Sequence, residues 1–129
     1  MKRLFLFASL VIITTFGCNK EEAITPSADF TTNIQNNTLS TGEFFTLYLD
    51  NVQGEFLVYF KGDSEETIYN PDDPTREGTP FSTDTDSLEV APYNFAGEYV
   101  FTVVASSTGN WAEDYFQDTK SITLTVVEE

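Results

Sequence analysis

From Ala28 onward the chain carries no run of 3.6-residue periodicity long enough for a helix. Apolar residues recur instead at alternate positions, between breaks of Gly, Asn, Asp and Pro, which is the pattern of short strands and turns. The alternation predicts strands over Ala28–Ile34, Glu43–Asp50, Glu55–Phe60, Ser87–Val90, Glu98–Ser106 and Thr119–Val127, with Glu66–Tyr69 as a short edge strand. In Glu43–Asp50 it sets Phe45, Leu47 and Leu49 on one face, and Phe30 is the expected core residue of the first strand. Asn51-Val52-Gln53-Gly54 reads as a turn, making Glu43–Asp50 and Glu55–Phe60 a hairpin. Glu55–Phe60 has apolar residues on both faces (Phe56, Val58, Phe60 and Leu57, Tyr59), as expected of a central, well covered strand. Tyr99, Phe101, Val103 and Ala105 share one face of their strand. Ile122, Leu124 and Val126 point inward from the last strand, with Ser121, Thr123 and Thr125 outward. Two long polar connections remain, Asn70–Asp86 and Ser107–Asp118.

About seven strands at this spacing in roughly 100 residues predict an all-β, immunoglobulin-like β-sandwich. The Pro92–Gly97 corner sharpens that expectation. Gly97-Glu98-Tyr99-Val100-Phe101 has the pattern of a tyrosine corner, in which the phenol bonds to nearby backbone. Phe101 then stands where an antibody domain places its second cysteine.

The stretch before Ala28 obeys different rules. Met1-Lys2-Arg3 is basic, and Leu4–Phe16 is a 13-residue run without charge. That is short for a membrane span and suited to the apolar segment of a signal peptide over 1–17. Removing those 17 residues from 129 leaves 112, one domain able to bury its own core. Cys18 is the only cysteine, so no internal disulfide forms. Phe16-Gly17-Cys18 resembles the lipobox of bacterial lipoproteins. The resemblance implies acylation of the Cys18 thiol (palmitate among the acyl chains) and cleavage before it. The alternative is an ordinary secreted protein with a stray cysteine. Asn19-Lys20-Glu21-Glu22 looks like the lipoprotein export signal of Bacteroidota, which implies a cell-surface position on the outer membrane; the alternative is a solvated acidic tether. Residues 18–27 reach at most about 33 Å, so the domain over 28–129 works close to the membrane.

Charge narrows the partners. The chain carries 6 basic and 21 acidic residues, a net charge of −15, and a phosphate backbone is repelled. Nucleic acid is therefore excluded as a partner. The sequence holds no histidine, which removes the usual general base and the commonest metal ligand. It shows no phosphate loop or serine elbow, so no enzyme is expected. Asp72, Asp73, Asp84 and Asp86 in the first long loop are candidate calcium ligands, calcium being the one possible cofactor; the alternative is a solvated acidic loop. In the second loop Trp111, Tyr115 and Phe116 are candidate ligand-binding residues, able to stack on a sugar ring or anchor a protein contact. The alternative folds them back as core over the end of the sandwich.

Four segments carry a family resemblance: Ala28-Asp29-Phe30, Phe60-Lys61-Gly62-Asp63, Ala96-Gly97-Glu98-Tyr99-Val100-Phe101-Thr102-Val103 and Lys120-Ser121-Ile122-Thr123-Leu124-Thr125-Val126. Together they resemble the PKD family across nearly the whole domain. The sequence is also similar to small Ig-like or PKD-like surface lipoproteins of Bacteroidota, which often accompany outer-membrane nutrient-uptake systems. The resemblance implies a non-catalytic domain for protein or carbohydrate contacts. The expected function is a lipid-anchored binding or interaction module of the cell envelope, with a carbohydrate-binding lipoprotein and a purely structural envelope protein as alternatives.

Overall fold

The computed structural model describes residues 24–73, 75–108 and 115–129. Within them the chain is all-β and sandwich-like, built from short strands and two long ones. The strands are β1 (Ser27–Ala28), β2 (Thr31–Thr32), β3 (Thr38–Ser40), β4 (Phe45–Tyr48), β5 (Val52–Gln53), β6 (Phe56–Phe60), β7 (Thr79–Pro80), β8 (Ser87–Val90), β9 (Gly97–Thr108) and β10 (Tyr115–Val127). A single 3₁₀ turn, Glu65–Thr67, is the one helical element among the described residues.

Two sheets face each other. One has the order β3-β10-β9-β6-β7, with β3 parallel to β10 and the other pairs antiparallel. The other is β2-β4-β8. A two-stranded β1-β5 ribbon closes one end. Between the sheets the alternating residues meet: Phe45, Leu47 and Val90 from one side, Leu57, Phe101, Val103, Ala105, Leu124 and Val126 from the other. Phe101 is the centre of this layer. Its ring is edge-on to Phe30 (5.6 Å) and Phe45 (5.4 Å) and stacked with Tyr59 (5.4 Å). Tyr99 donates its hydroxyl to the Phe95 carbonyl at 2.7 Å, so the predicted corner bond is present.

The period-2 expectations hold where a strand has one buried face. Phe45, Leu47 and Leu49 are buried while Phe44 and Tyr48 are exposed. Ser87–Val90 has its predicted bounds. Leu124 and Val126 are buried, and Ile122 packs against the core.

Five expectations are corrected. The predicted hairpin does not form. β4 pairs with β2 and β8, β6 pairs with β9 and β7, and the intervening Val52–Gln53 becomes β5. A tight two-residue hairpin wants positive φ in its turn. Among the described residues positive φ occurs at Asn36, Asn37, Gly42, Gly62 and Gly97, none within 51–54. Val52 is instead buried, and the connection crosses between sheets. Ala28–Ile34 splits into β1 and β2, which belong to different sheets. Glu66–Tyr69 is no edge strand; its first half lies in the 3₁₀ turn, closed by a bond from Thr67 N–H to Ser64 O. Asn70–Asp86 is not wholly loop. Thr79–Pro80 pairs with Tyr59–Val58, and the Phe81 N–H donates to Leu57 O. Finally, Ser107–Asp118 is not a long loop, because β9 runs on to Thr108 and β10 begins at Tyr115. The count of strands rises from about seven to ten because two-residue edge pieces carry too little sequence for alternation to register.

Candidate functional site

The register of β10 decides what its aromatics can do. Tyr115 lies opposite Thr108, Phe116 opposite Ser107 and Gln117 opposite Ser106. Successive side chains on a strand point to opposite faces, so Tyr115 and Gln117 share the outer face while Phe116 shares the other with Asp118 and Lys120.

The inner-face set clamps the start of the domain. Asp118 accepts the Ala28 N–H at 2.7 Å. Lys120 pairs with Asp29 at 3.1 Å, donates to the Phe30 carbonyl and sits 5.0 Å from the centre of the Phe30 ring. Phe116 lines an apolar hollow of about 280 Å³ with Ile24, Thr25 and Pro26, and Gln53 donates to the Thr25 carbonyl at 2.6 Å. The segment just before the domain thus lies along the end of the sandwich that carries Phe116.

The outer-face set opens onto a different feature. After the 3₁₀ turn the chain passes back across the outside of the five-stranded sheet. Tyr69 packs on Phe60 with ring centres 5.2 Å apart, and Gln117 donates to the Tyr69 hydroxyl at 3.1 Å. Tyr115, Gln117, Tyr69, Asn70, Asp73 and Arg76 line an open depression of about 230 Å³ there, with Phe60 at its base. Both long connections singled out in the sequence therefore contribute to one surface.

Within it Asp73 and Arg76 form an ion pair at 3.0 Å. The Arg76 guanidinium also donates to the Glu65 and Ile68 carbonyls, tying the loop to the 3₁₀ turn. The Asp73 carboxylate accepts the Thr75 hydroxyl (2.6 Å) and N–H (3.0 Å). The Thr75 hydroxyl, then Arg76, then the Thr75 N–H hold its carboxyl down at about 2, from an ordinary 3.8. The folded value lies below the unfolded one. Its contribution to holding the loop is therefore complete above about pH 4 and is lost as pH falls through about 2. A carboxyl-carbon NMR titration is expected to give Asp73 a midpoint near 2. A midpoint at the ordinary value of 3.8 would show that these bonds do not persist in solution.

The four aspartates do not converge. Asp73 is engaged by Arg76, and among the described residues no three acidic side chains gather around a point that could hold a metal ion. Asp72, Asp84 and Asp86 are exposed. Trp111 and Cys18 lie outside the described residues. Tyr115 and Phe116 are exposed, at 62% and 48%, but on opposite faces of β10, so they do not form one cluster. Tyr69, Asn70 and Arg76 are not marked out by the sequence. The available signal is the period of 2: extending the last strand back by four residues puts Tyr115 and Gln117 on one face. Nothing in the sequence brings Tyr69 to them.

Compared with known proteins, the chain matches no family model, and no curated protein matches it. Among the described residues no helix is long and apolar enough to cross a membrane.

Proposed function

We propose that the protein is a lipid-anchored, non-catalytic immunoglobulin-like (PKD-like) binding module of the cell envelope, acylated at Cys18 and carried on the outer membrane with its domain facing outward. The observation that carries the binding reading is the meeting of Tyr115 and Gln117 from β10 with Tyr69, Asn70 and Arg76 in one open depression. The depression is open, formed where strand residues meet the connection after the 3₁₀ turn, which suits contact with a partner better than enclosure of a reacting molecule. The immunoglobulin-like type is supported by the parallel β3–β10 edge, the Tyr99 corner bond, and Phe101 with Tyr59 stacked on it in place of a cysteine and tryptophan. Ile24 is six residues beyond Cys18, so an acylated Cys18 holds this end of the domain within about 20 Å of the membrane. A binding surface so placed suits an accessory subunit of an outer-membrane uptake complex.

Metabolic labelling with an alkyne palmitate is expected to mark the wild-type protein and not Cys18→Ala. Protease added to intact cells is expected to cut the domain away from the labelled Cys18 end and so abolish the full-length labelled species. Retention of label in Cys18→Ala, or an uncleaved N-terminus running through Cys18, overturns the anchor. Protection of the full-length labelled species on intact cells overturns the outward orientation.

A further inference from the structure

We propose that the depression on the outer face of the five-stranded sheet binds one ring of a neutral glycan chain, with the Tyr115 ring as the stacking platform and Gln117 and Asn70 as partners for sugar hydroxyls. This rests on the depression being the protein's binding surface. Three features of the site select the ligand class.

The first is size and openness. A site that encloses a drug-sized molecule has roughly 300–1,000 Å³. The depression has about 230 Å³ and is open to solvent. It accommodates one ring lying against the surface, with the chain continuing out at both ends.

The second is the pairing of a flat apolar surface with groups that both donate and accept. A pyranose presents C–H bonds on its faces and hydroxyls around its rim. Tyr115 is 62% exposed, so its side chain is open to a ligand. The amides beside it have capacity to spare. Gln117 uses its Nε2 on the Tyr69 hydroxyl, and its Oε1 accepts no bond from a described residue. Asn70 uses Oδ1 on the Asp72 N–H, and its Nδ2 donates to no described residue. An amide carbonyl takes a sugar O–H, and an amide N–H gives to a sugar oxygen. The bond from Gln117 to Tyr69 also fixes both side chains before a ligand arrives, which lowers the entropic cost of binding. A protein hot spot is built differently, as a dry pocket ringed by contacts that exclude water. Here the rim is amide, carboxylate and guanidinium, open to solvent.

The third is charge. Asp73 and Arg76 neutralise each other within the site. A neighbouring hollow that shares Asp73 and Arg76 with the depression is lined also by Glu65 and Glu66, and the chain as a whole carries −15. Uronate-rich or sulfated chains are repelled by such a surface, and neutral chains are not.

The test is titration calorimetry on the detergent-solubilised full-length protein with cello-, xylo-, manno- and laminari-oligosaccharides, and with polygalacturonate as the anionic comparison. At least one neutral oligosaccharide is expected to bind, and polygalacturonate is expected not to. Tyr115→Ala is expected to weaken the neutral ligand about tenfold, while Tyr115→Trp keeps it, since stacking needs a ring face and not the phenol. Gln117→Ala is expected to weaken it about fivefold. Both positions are solvent-exposed, and thermal melts of the variants check that folding is intact. Absence of binding to every neutral oligosaccharide overturns the glycan assignment, as does full retention of affinity in Tyr115→Ala. If no sugar binds but an envelope protein is captured by the wild type and lost in Tyr115→Ala, the surface is a protein site: the glycan assignment fails and the binding-module reading stands. If neither sugar nor protein depends on Tyr115, both fail.

Discussion

Phe101→Ala is expected to remove about 3–5 kcal/mol of stability, among the largest losses of any truncation at the described residues. Phe101 is fully buried and touches three other rings, those of Phe30, Phe45 and Tyr59, which come from three different segments. Truncation deletes the apolar area of the ring and the edge and stacking geometry it shares with them. The walls of the resulting cavity are strands held in two hydrogen-bonded sheets, so they cannot close far into the space. A domain of this size has roughly 5–15 kcal/mol in all, so the variant loses a large share of it and its Tm falls by about 15 °C or more. Phe101→Leu keeps most of the volume and costs less. Urea unfolding followed by intrinsic fluorescence measures both. A loss below about 1 kcal/mol for Phe101→Ala would mean that the three rings collapse into the gap and that the core is not centred where the contacts place it.

That centre is legible in the sequence, and the reason is physical. A strand with one face in the core writes its burial directly as alternation, so Phe45, Leu47, Leu124 and Val126 can be assigned inward without knowing any strand partner. The tyrosine corner is legible because Tyr99 bonds to Phe95, four residues away. Pairing is not legible. A β4–β6 hairpin follows from adjacency alone, and alternation is silent about which strand lies alongside. The chain uses Val52 to cross between sheets, a decision made by burial against Ala28 and the rest of the core. The extended β9–β10 pair is hidden for another reason. Ser106, Ser107, Thr108, Gln117 and Asp118 are polar, and polarity between strands reads as loop. Ser107 is nevertheless buried, and its hydroxyl accepts the Glu55 N–H at 3.2 Å, a bond across 52 residues that no local pattern reports.

The candidate site is half legible for the same reason. Composition marks out Tyr115 and the Asn70–Asp86 stretch separately. Their meeting depends on where the chain goes after β6, and that depends on one backbone conformation at Gly62.

Gly62→Ala is the second large effect expected, on the order of 3 kcal/mol. Gly62 has φ of +76° and lies against Val100, just beyond the end of the β6–β9 ladder. A methyl group there meets two separate penalties. The left-handed conformation costs an alanine about 1–2 kcal/mol. Its Cβ would also lie 2.4 Å from the Val100 carbonyl oxygen, a backbone atom of β9, held between β6 and β10, that has little room to yield. Gly42 separates the two terms. Its φ is +80°, and nothing lies within 4 Å of where a Cβ would stand, so Gly42→Ala is expected to show the conformational cost alone, about 1–2 kcal/mol. Gly62→Asn tests the same point from the other side, because asparagine tolerates positive φ and still carries a Cβ. If the clash dominates, Gly62→Asn is nearly as damaging as Gly62→Ala; if it recovers most of the loss, conformation was the whole effect. The consequence reaches the depression. The Gly62 N–H donates to the Thr67 carbonyl, closing the turn that sends the chain back across the sheet and sets Tyr69 on Phe60 beside Gln117. Glycine at 62 therefore serves the ligand site as well as the sheet, and Gly62→Ala is expected to weaken oligosaccharide binding at temperatures well below its own unfolding, where Gly42→Ala leaves it unchanged.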